Sequence, residues 1–119
     1  MRHFEPHEFR CGCGKCGQGF EQMDPGLLMM LDSARHHAGI AFKINSAVRC
    51  EAHNQAVGGS PTSSHLKGLA VDISCKRGPA RLLMLRELIR TGFNRIGLGA
   101  DFIHVDIDPA KPPKTAWLY

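Results

Sequence analysis

Two short stretches of the sequence carry histidine and aspartate at spacings that suit a metal ion. His65 and Asp72 stand seven positions apart in the first stretch, and His104 lies in the second, residues 101–108. Two imidazoles and one carboxylate suit a catalytic zinc ion, because three protein ligands leave the fourth position open for water. A structural zinc site is more often closed by four ligands, mostly cysteine. We therefore predict that these three side chains bind one catalytic zinc ion.

A zinc site of this kind predicts hydrolytic chemistry. Zinc lowers the pKa of a bound water to about 7, so hydroxide is available near neutral pH. The reaction also needs a general base, and Asp101 lies three residues before His104. Its carboxylate is expected just outside a strand, where it can turn back toward the water on the metal. We predict that Asp101 is the base.

Alternating patterns predict two strands that would bring the ligands together. Apolar residues alternate with others along residues 69–74 and again along residues 101–108. Each strand therefore has one apolar face for the core and one face that carries a metal ligand. If the strands are neighbours in one sheet, Asp72 and His104 project from the same side. His65 would then reach in from the loop before the first strand.

The remaining elements are predicted from capping residues and periodicity. The first helix begins at Pro25 after Asp24 as N-cap and ends at Gly39, and a short strand follows at residues 41–45. A short helix is predicted at residues 51–56, and a strand at residues 94–98. A second long helix is predicted at residues 79–90, with the following side chains inward: Leu82, Leu85, Leu88 and Ile89.

This order of elements predicts an α+β fold. We expect a small, mainly antiparallel sheet packed against helices, with the zinc site on the open sheet face. The chain is expected to form one domain over residues 1–119, with a Cys-rich lead-in at 1–20 and a C-terminal tail at 109–119. Trp117 and Tyr119 in the tail are expected to pack back on the body.

Charge and hydropathy limit the kinds of partner and location that we expect for the protein. The net charge is +4, which permits attraction to an anionic polymer such as nucleic acid or cell wall. No basic run or interleaved aromatic pattern supports nucleic acid, so we expect no nucleic-acid partner. We also expect no membrane span, because no apolar run is long enough. The N-terminus lacks the apolar core of a signal peptide, which predicts synthesis in the cytoplasm and export by another route.

The five cysteines leave two interpretations open. Their odd number and the missing signal peptide argue against a full disulfide framework. Cys11, Cys13 and Cys16 are spaced tightly enough for a second metal site, whose fourth ligand would be Cys50, Cys75 or a histidine such as His7. The alternative is a Gly-rich turn with reduced, partly buried thiols. The pattern favours the turn, because two separate two-cysteine pairs would be the stronger indication of zinc.

The motifs together resemble a known family. They are Ser63-x-His65-x-x-Gly68-x-Ala70-x-Asp72 and Asp101-x-x-His104-x-Asp106. They are similar to those of the zinc peptidases that cut peptidoglycan stem peptides, namely D-Ala-D-Ala carboxypeptidases, D-Ala-D-Ala dipeptidases and the L-Ala-D-Glu endopeptidases of phage endolysins. The resemblance covers residues 20–110 and also the Cys-rich lead-in, which is seen in phage and prophage members. It implies the fold shared with the signalling domain of hedgehog proteins.

The resemblance also implies roles for single residues. It implies zinc binding by His65, Asp72 and His104, and it implies that Asp101 is the base. Many members have Glu at the base position, and Asp is shorter by one methylene.

Three further residues acquire roles in the same way. The resemblance implies that Arg49 holds a substrate carboxylate or polarises the scissile carbonyl, and that Ser63 hydrogen-bonds the substrate or a ligand. Asp106 would accept a hydrogen bond from an imidazole N–H. The residues alone leave simpler interpretations open: a surface arginine, a turn serine and a solvated carboxylate.

The function implied is hydrolysis of an amide bond in the stem peptide by zinc-bound water. Zinc and Arg49 would stabilise the oxyanion, and Asp101 would pass the proton to the leaving amine. The protein would act on the cell wall after release, with a holin or another release system as partner. Two alternatives stay open: a non-catalytic, zinc-containing binding module of the same fold, and an accessory phage protein that binds the wall through its basic surface. The presence of Asp101 favours catalysis.

Overall fold

One five-stranded sheet packed against helices forms the body of the protein. The structure is a computed structural model that describes residues 1–119. Its α-helices are α1 (Pro25–Ala38), α2 (Glu51–Ala56) and α3 (Pro79–Thr91). Its strands are β1 (Lys43–Ser46), β2 (Ala70–Ser74), β3 (Arg95–Leu98), β4 (Phe102–Asp106) and β5 (Thr115–Leu118). Short 3-10 helices lie at Pro6–Phe9, Phe20–Gln22 and Ser64–Lys67.

The strands follow the order β1-β2-β4-β3-β5 across the sheet. Every neighbouring pair is antiparallel except β3 and β5, which are parallel. The predicted α+β fold, with a small and mainly antiparallel sheet packed against helices, is therefore confirmed. The two strands that were predicted to be neighbours, β2 and β4, are paired along their whole length.

The core lies between α1, α3 and the inner face of the sheet. Helix α1 begins as predicted, since the Asp24 carboxylate accepts a hydrogen bond from the Leu27 N–H at 3.1 Å. It ends at Gly39, whose φ of 68° is in the left-handed region that glycine adopts readily. The fully buried side chains of this core include Leu27, Leu31, Val71, Ile73, Leu88, Ile103 and Val105. Burial of each large apolar side chain contributes roughly 1.5–3 kcal/mol to folding.

The predicted inward face of α3 is wrong at two positions. The side chains of Leu82 and Ile89 are 70% and 55% exposed. The buried residues of the helix are Met84, Glu87 and Leu88. Glu87 occupies an inward position because Arg86 and Arg90 lie 3.4 and 3.6 Å from its carboxylate and compensate its charge. The buried stripe is therefore rotated away from the one that the leucines suggest.

The C-terminal tail contains a strand that the sequence pattern did not predict. Residues Thr115–Leu118 pair with β3, and Trp117 lies opposite Gly97 in that pairing. The tail therefore packs back on the body, as expected, through backbone hydrogen bonds as well as through its aromatic rings. None of the helices is both long enough and apolar enough to cross a bilayer.

Candidate metal centre

The structure brings together the three side chains that were predicted to bind metal. Asp72 on β2 and His104 on β4 are direct partners across the antiparallel pair. Asp72 Oδ1 lies 2.9 Å from His104 Nδ1 and 3.3 Å from His65 Nε2. One ligand atom from each residue lies within 4.8 Å of the other two. Both histidines are buried, and Asp72 is half-buried.

The local sequence explains how each ligand reaches the cluster. Directly opposite residues of an antiparallel pair project from the same face of the sheet, which aligns Asp72 with His104. His65 comes from the 3-10 helix before β2, whose first N–H groups are capped by Ser63: its Oγ accepts from the His65 N–H at 3.2 Å. The turn ends at Gly68 with φ 70°, and a Cβ there would lie 2.0 Å from the Gln22 carbonyl oxygen. Only glycine fits this position.

Each imidazole has its second nitrogen engaged by a hydrogen-bond acceptor. His65 Nδ1 lies 2.7 Å from the Ala47 carbonyl oxygen, and His104 Nε2 lies 2.8 Å from Asp106 Oδ2. These acceptors assign the N–H to the outer nitrogen of each ring, so that His65 Nε2 and His104 Nδ1 present lone pairs toward Asp72. Asp106 is 1% exposed and also accepts from Arg95 Nε at 2.7 Å. It is therefore not a solvated carboxylate.

The donor set and its spacing fit a zinc ion. Zinc binds histidine nitrogen and carboxylate oxygen at about 2.0–2.2 Å, and a tetrahedral arrangement places such donors about 3.3 Å apart. The separations of 3.3 and 2.9 Å around Asp72 Oδ1 are close to this value.

The close contacts among these side chains shift the pKa values of Asp72 and His104. Burial opposes ionisation of Asp72, but the facing rings of His104 and His65, which donate hydrogen bonds to it when they are protonated, hold the pKa of that carboxyl well below its usual range. Burial alone would lower the pKa of His104, but its hydrogen bonds to Asp106 and Asp72 raise it. A metal ion and a proton therefore compete for His104 Nδ1, and metal binding at neutral pH should release protons.

Arg49 is held at the edge of the cluster. Its Nη2 lies 3.4 Å from Asp72 Oδ2, its Nε donates to Ser46 Oγ at 3.0 Å, and its Nη1 donates to Asn54 Oδ1 at 3.2 Å. Asn54 is buried and donates in turn to the Ser60 carbonyl oxygen at 2.9 Å. The guanidinium is therefore fixed by its neighbours, unlike that of a free surface arginine.

A pocket with a volume of about 370 Å³ opens over the cluster. Six of the residues predicted for the site line it: Arg49, Ser63, His65, Asp72, His104 and Asp106. Ser63 is nearly buried, and its hydroxyl is engaged by the turn that carries His65.

Asp101 lies apart from this pocket. It is exposed in the turn between β3 and β4 and is not among the residues that line the cavity. Its carbonyl oxygen accepts a hydrogen bond from the Cys75 N–H at 2.9 Å, which extends the pairing of β2 with β4. Its carboxylate makes no hydrogen bond or ion pair within the chain. The role of Asp101 as general base stays a prediction.

Several residues of the pocket wall were not predicted from the sequence. The Trp117 ring lies 5.5 Å from the His104 ring, centroid to centroid, and Arg95 lies over the indole at 5.0 Å. Gly97 permits this arrangement, since a Cβ there would lie 2.5 Å from Trp117 Nε1. Tyr119 and Lys111 complete this side of the pocket. The i, i+2 spacing of the two aromatics was the available indication of a strand in the tail.

The fold and the cluster together define an α+β protein whose buried His–Asp–His group has the ligand set of a zinc hydrolase. The family model described as Peptidase M15 matches residues 2–106, and the chain belongs to that family of zinc-dependent peptidases. The protein is therefore a metallopeptidase by family. Comparison with individual curated proteins gave no match.

Proposed function

We propose that the protein hydrolyses a peptide bond in the peptidoglycan stem peptide, as a D-Ala-D-Ala carboxypeptidase or an L-Ala-D-Glu endopeptidase, with Asp101 as general base. The observation that carries the proposal is the convergence of His65, Asp72 and His104 at the base of an open pocket edged by Arg49. Membership of the Peptidase M15 family supports the reaction class. The resemblance of the motifs supports the substrate class.

The three ligand atoms would be His65 Nε2, Asp72 Oδ1 and His104 Nδ1. A zinc ion held there would supply Lewis acidity, which polarises a carbonyl and lowers the pKa of a bound water to about 7. The protein orients the ligands through two acceptors: the Ala47 carbonyl oxygen holds one ring, and Asp106 holds the other. Arg95 fixes Asp106 from behind, which keeps its carboxylate ionised and aimed at His104.

Arg49 would bind a negative group of the substrate. Its side chain is pinned by Ser46 and Asn54, so little side-chain entropy is lost when a ligand arrives. Its planar donors suit either a substrate carboxylate or the oxyanion that develops from the scissile carbonyl. Lys111 lines the same pocket and adds positive charge, which favours a peptide that carries carboxylates.

Trp117 and Tyr119 give the pocket an aromatic wall. The Tyr119 ring packs on Phe102 at a centroid distance of 5.0 Å, and both Tyr119 and Trp117 contact the His104 side of the cavity. Such a wall can pack against the short methyl side chains and backbone of an alanine-containing peptide, and it limits the access of water to His104.

Asp101 would take the proton from the attacking water and deliver it to the leaving amine. Its position in the exposed β3–β4 turn requires the carboxylate to swing toward the pocket when substrate binds. Catalytic hydrogen bonds are often long or misaligned in a free enzyme and tighten in the substrate complex, which is consistent with such a movement.

The place of action is part of the same proposal. We propose that the protein meets the cell wall after release, through a holin or another release system. Detection of the protein outside the membrane only when the release system is active would support it, and cleavage of the wall in living cells that lack any such system would contradict it.

One observation favours an alternative function. Because the Asp101 carboxylate lies outside the pocket, the protein would be a non-catalytic, zinc-containing binding module if no other base serves the site. Such a module would bind cell-wall peptides or a protein and leave the bonds intact.

Digestion of purified cell walls separates these functions. The intact protein and the Asp101→Asn variant are incubated with walls, each with and without a chelator, and the released ends are read by mass spectrometry. Free D-Ala would identify a carboxypeptidase, and new amino termini on D-Glu would identify an endopeptidase. If the zinc-loaded protein releases no new ends and Asp101→Asn behaves identically, the enzyme proposal fails and the binding module stands.

A further inference from the structure

Four of the five cysteines form one cluster, which lies between the lead-in and the start of α2. Cys11, Cys13 and Cys16 come from the lead-in, and Cys50 comes from the residue that caps α2. All four sulfur atoms lie within 4.8 Å of one another. Cys75, the fifth, is buried after the end of β2 and is not part of the cluster. The sequence left three candidates open for the fourth ligand, and the structure favours Cys50.

The cysteines are free, and the spacing of the sulfur atoms fits an ion. Cys11 Sγ and Cys50 Sγ are 3.8 Å apart, whereas a disulfide bond requires about 2.05 Å. A tetrahedral zinc ion with Zn–S bonds of about 2.3 Å places its sulfur ligands about 3.8 Å apart. The distance between these two sulfurs therefore matches an ion bound between them.

Backbone N–H groups point at every sulfur of the cluster. The donors to Cys13 Sγ are the N–H groups of Lys15 and Cys16, at 3.4 and 3.3 Å. The Cys50 N–H donates to Cys11 Sγ at 3.4 Å. The remaining two contacts, also at 3.4 Å, run from the Gln18 N–H to Cys16 Sγ and from the His53 N–H to Cys50 Sγ. Donors of this kind stabilise thiolates, which are the form of cysteine that binds metal.

Two glycines allow the loop to fold around the sulfurs. Gly14, between Cys13 and Cys16, has a φ of 72° in the left-handed region, and this turns the chain so that its N–H groups face Cys13 Sγ. At Gly12 a Cβ would lie 2.8 Å from His53 Nε2 on α2. A side chain at Gly12 would therefore have to displace the His53 ring or shift the loop relative to α2.

We propose that Cys11, Cys13, Cys16 and Cys50 bind a structural zinc ion, distinct from the one assigned to the His–Asp–His cluster. Four thiolates form a closed, soft ligand set, which zinc occupies in structural sites and which leaves no position for water. The residues between Cys11 and Cys16 form no helix or strand, so an ion supplies the order that the local backbone lacks.

The site would tie the lead-in to the substrate pocket. Cys50 directly follows Arg49 in the chain, and it caps the helix whose Asn54 holds the Arg49 guanidinium. An ion that fixes Cys50 therefore also fixes the start of α2 and the position of Arg49. Loss of the ion should weaken substrate binding through Arg49 and lower stability, while the His–Asp–His cluster keeps its own ion.

The first test uses the unmodified full chain, purified under reducing conditions with zinc present. We expect two zinc ions per chain, a Zn–S distance of about 2.3 Å in X-ray absorption beside the shorter bonds to nitrogen and oxygen, and release of one ion by a mercurial reagent that attacks thiolates. One ion per chain with nitrogen and oxygen ligands only would overturn the proposal. So would a sulfur shell that accompanies iron instead of zinc.

Matched variants assign the ions to their sites. Cys50→Ser should lose one zinc ion together with the Zn–S signal, whereas Cys75→Ser, which changes the cysteine outside the cluster, should retain both. His104→Ala should lose the other ion and keep the Zn–S signal. If Cys50→Ser retains two ions with an unchanged sulfur shell, the proposal is wrong. If that variant does not fold, the number of zinc ions per unmodified chain and the presence of Zn–S bonds decide whether the proposal holds.

Discussion

Asp72 and His104 face each other across β2 and β4, and Asp72 Oδ1 lies 2.9 Å from His104 Nδ1. The same oxygen lies 3.3 Å from His65 Nε2, so a single carboxylate oxygen stands between two imidazole nitrogens. The register of two paired strands thus creates a three-donor cluster from residues that are distant in the chain. The outer nitrogen of each ring is already hydrogen-bonded, which leaves the inner nitrogens for a metal ion.

The contact behind His104 should control metal affinity. Asp106→Asn removes the charged acceptor of the His104 N–H, and we expect zinc affinity at the His–Asp–His cluster to fall by about 10- to 100-fold. Competition with a chromophoric chelator at pH 7 measures this change. Asp32→Asn on α1, which also alters a carboxylate but lies far from the cluster, should leave affinity unchanged. Equal affinities for the intact protein and Asp106→Asn would show that Asp106 does not support the metal ligand.

Arg49 should contribute to catalysis through its paired hydrogen-bond donors and not through its charge alone. Arg49→Lys keeps the positive charge but cannot span Ser46, Asn54 and a substrate group together. A lost hydrogen bond to a charged group costs about 1.5–3 kcal/mol, so kcat/KM should fall at least about tenfold. Arg86→Lys on the exposed side of α3 serves as control. Unaltered kinetics of Arg49→Lys, with zinc content also unaltered, would argue against a substrate contact.

Gly97 should be required for the packing of the only tryptophan. In Gly97→Ala the new methyl group would lie 2.5 Å from Trp117 Nε1, and the indole must move off β3 toward solvent. Because the chain has one tryptophan, its fluorescence reports on this ring alone, and we expect a shift to longer wavelength with weaker substrate binding. Gly39→Ala, at a helix end remote from Trp117, controls for general destabilisation. An unshifted emission spectrum would mean that the ring does not rest on Gly97.

Asp108 should make stability depend on pH in the acid range. Its burial opposes ionisation, but hydrogen bonds from Ser64, the Ala110 N–H and Lys67 lower the pKa of its carboxyl in the folded state. A lowered folded pKa means that the stabilisation is complete above the unfolded value, about 3.9, and is lost as pH falls below it.

Urea unfolding of the intact protein and Asp108→Asn between neutral pH and pH 2.5 tests this dependence. The free energy of unfolding should fall more steeply below about pH 4 in the intact protein, so the difference between the two proteins should shrink. Groups that both proteins share cancel in this difference. A difference that stays constant across the range would contradict the prediction.

Patterns within short stretches of sequence were sufficient to predict much of the fold and the grouping of His65, Asp72 and His104. The alternation in β2 and β4 placed Asp72 and His104 on the faces opposite the core, and the strand pairing then confirmed that they are neighbours. The helix signals at Asp24 and Gly39 were equally local, since each depends on a single cap. These features are encoded within one element and its immediate flanks.

Other features depend on distant partners and could not be derived from patterns. The inward place of Glu87 depends on how α3 packs on α1 and on two arginines that offset its charge. The strand at Thr115–Leu118 is short and follows a proline-rich segment, so its pairing with β3 decides its structure. Cys50 joins the other thiols only because α2 packs beside the lead-in. Each case is set by tertiary contacts.

The most direct test of the central claim is anomalous diffraction at the zinc absorption edge from crystals of the zinc-loaded protein. We expect an anomalous peak at bonding distance from His65 Nε2, Asp72 and His104 Nδ1, with that peak absent in His104→Ala crystals. An unmodified protein with full zinc loading and no peak among these three side chains would contradict the account.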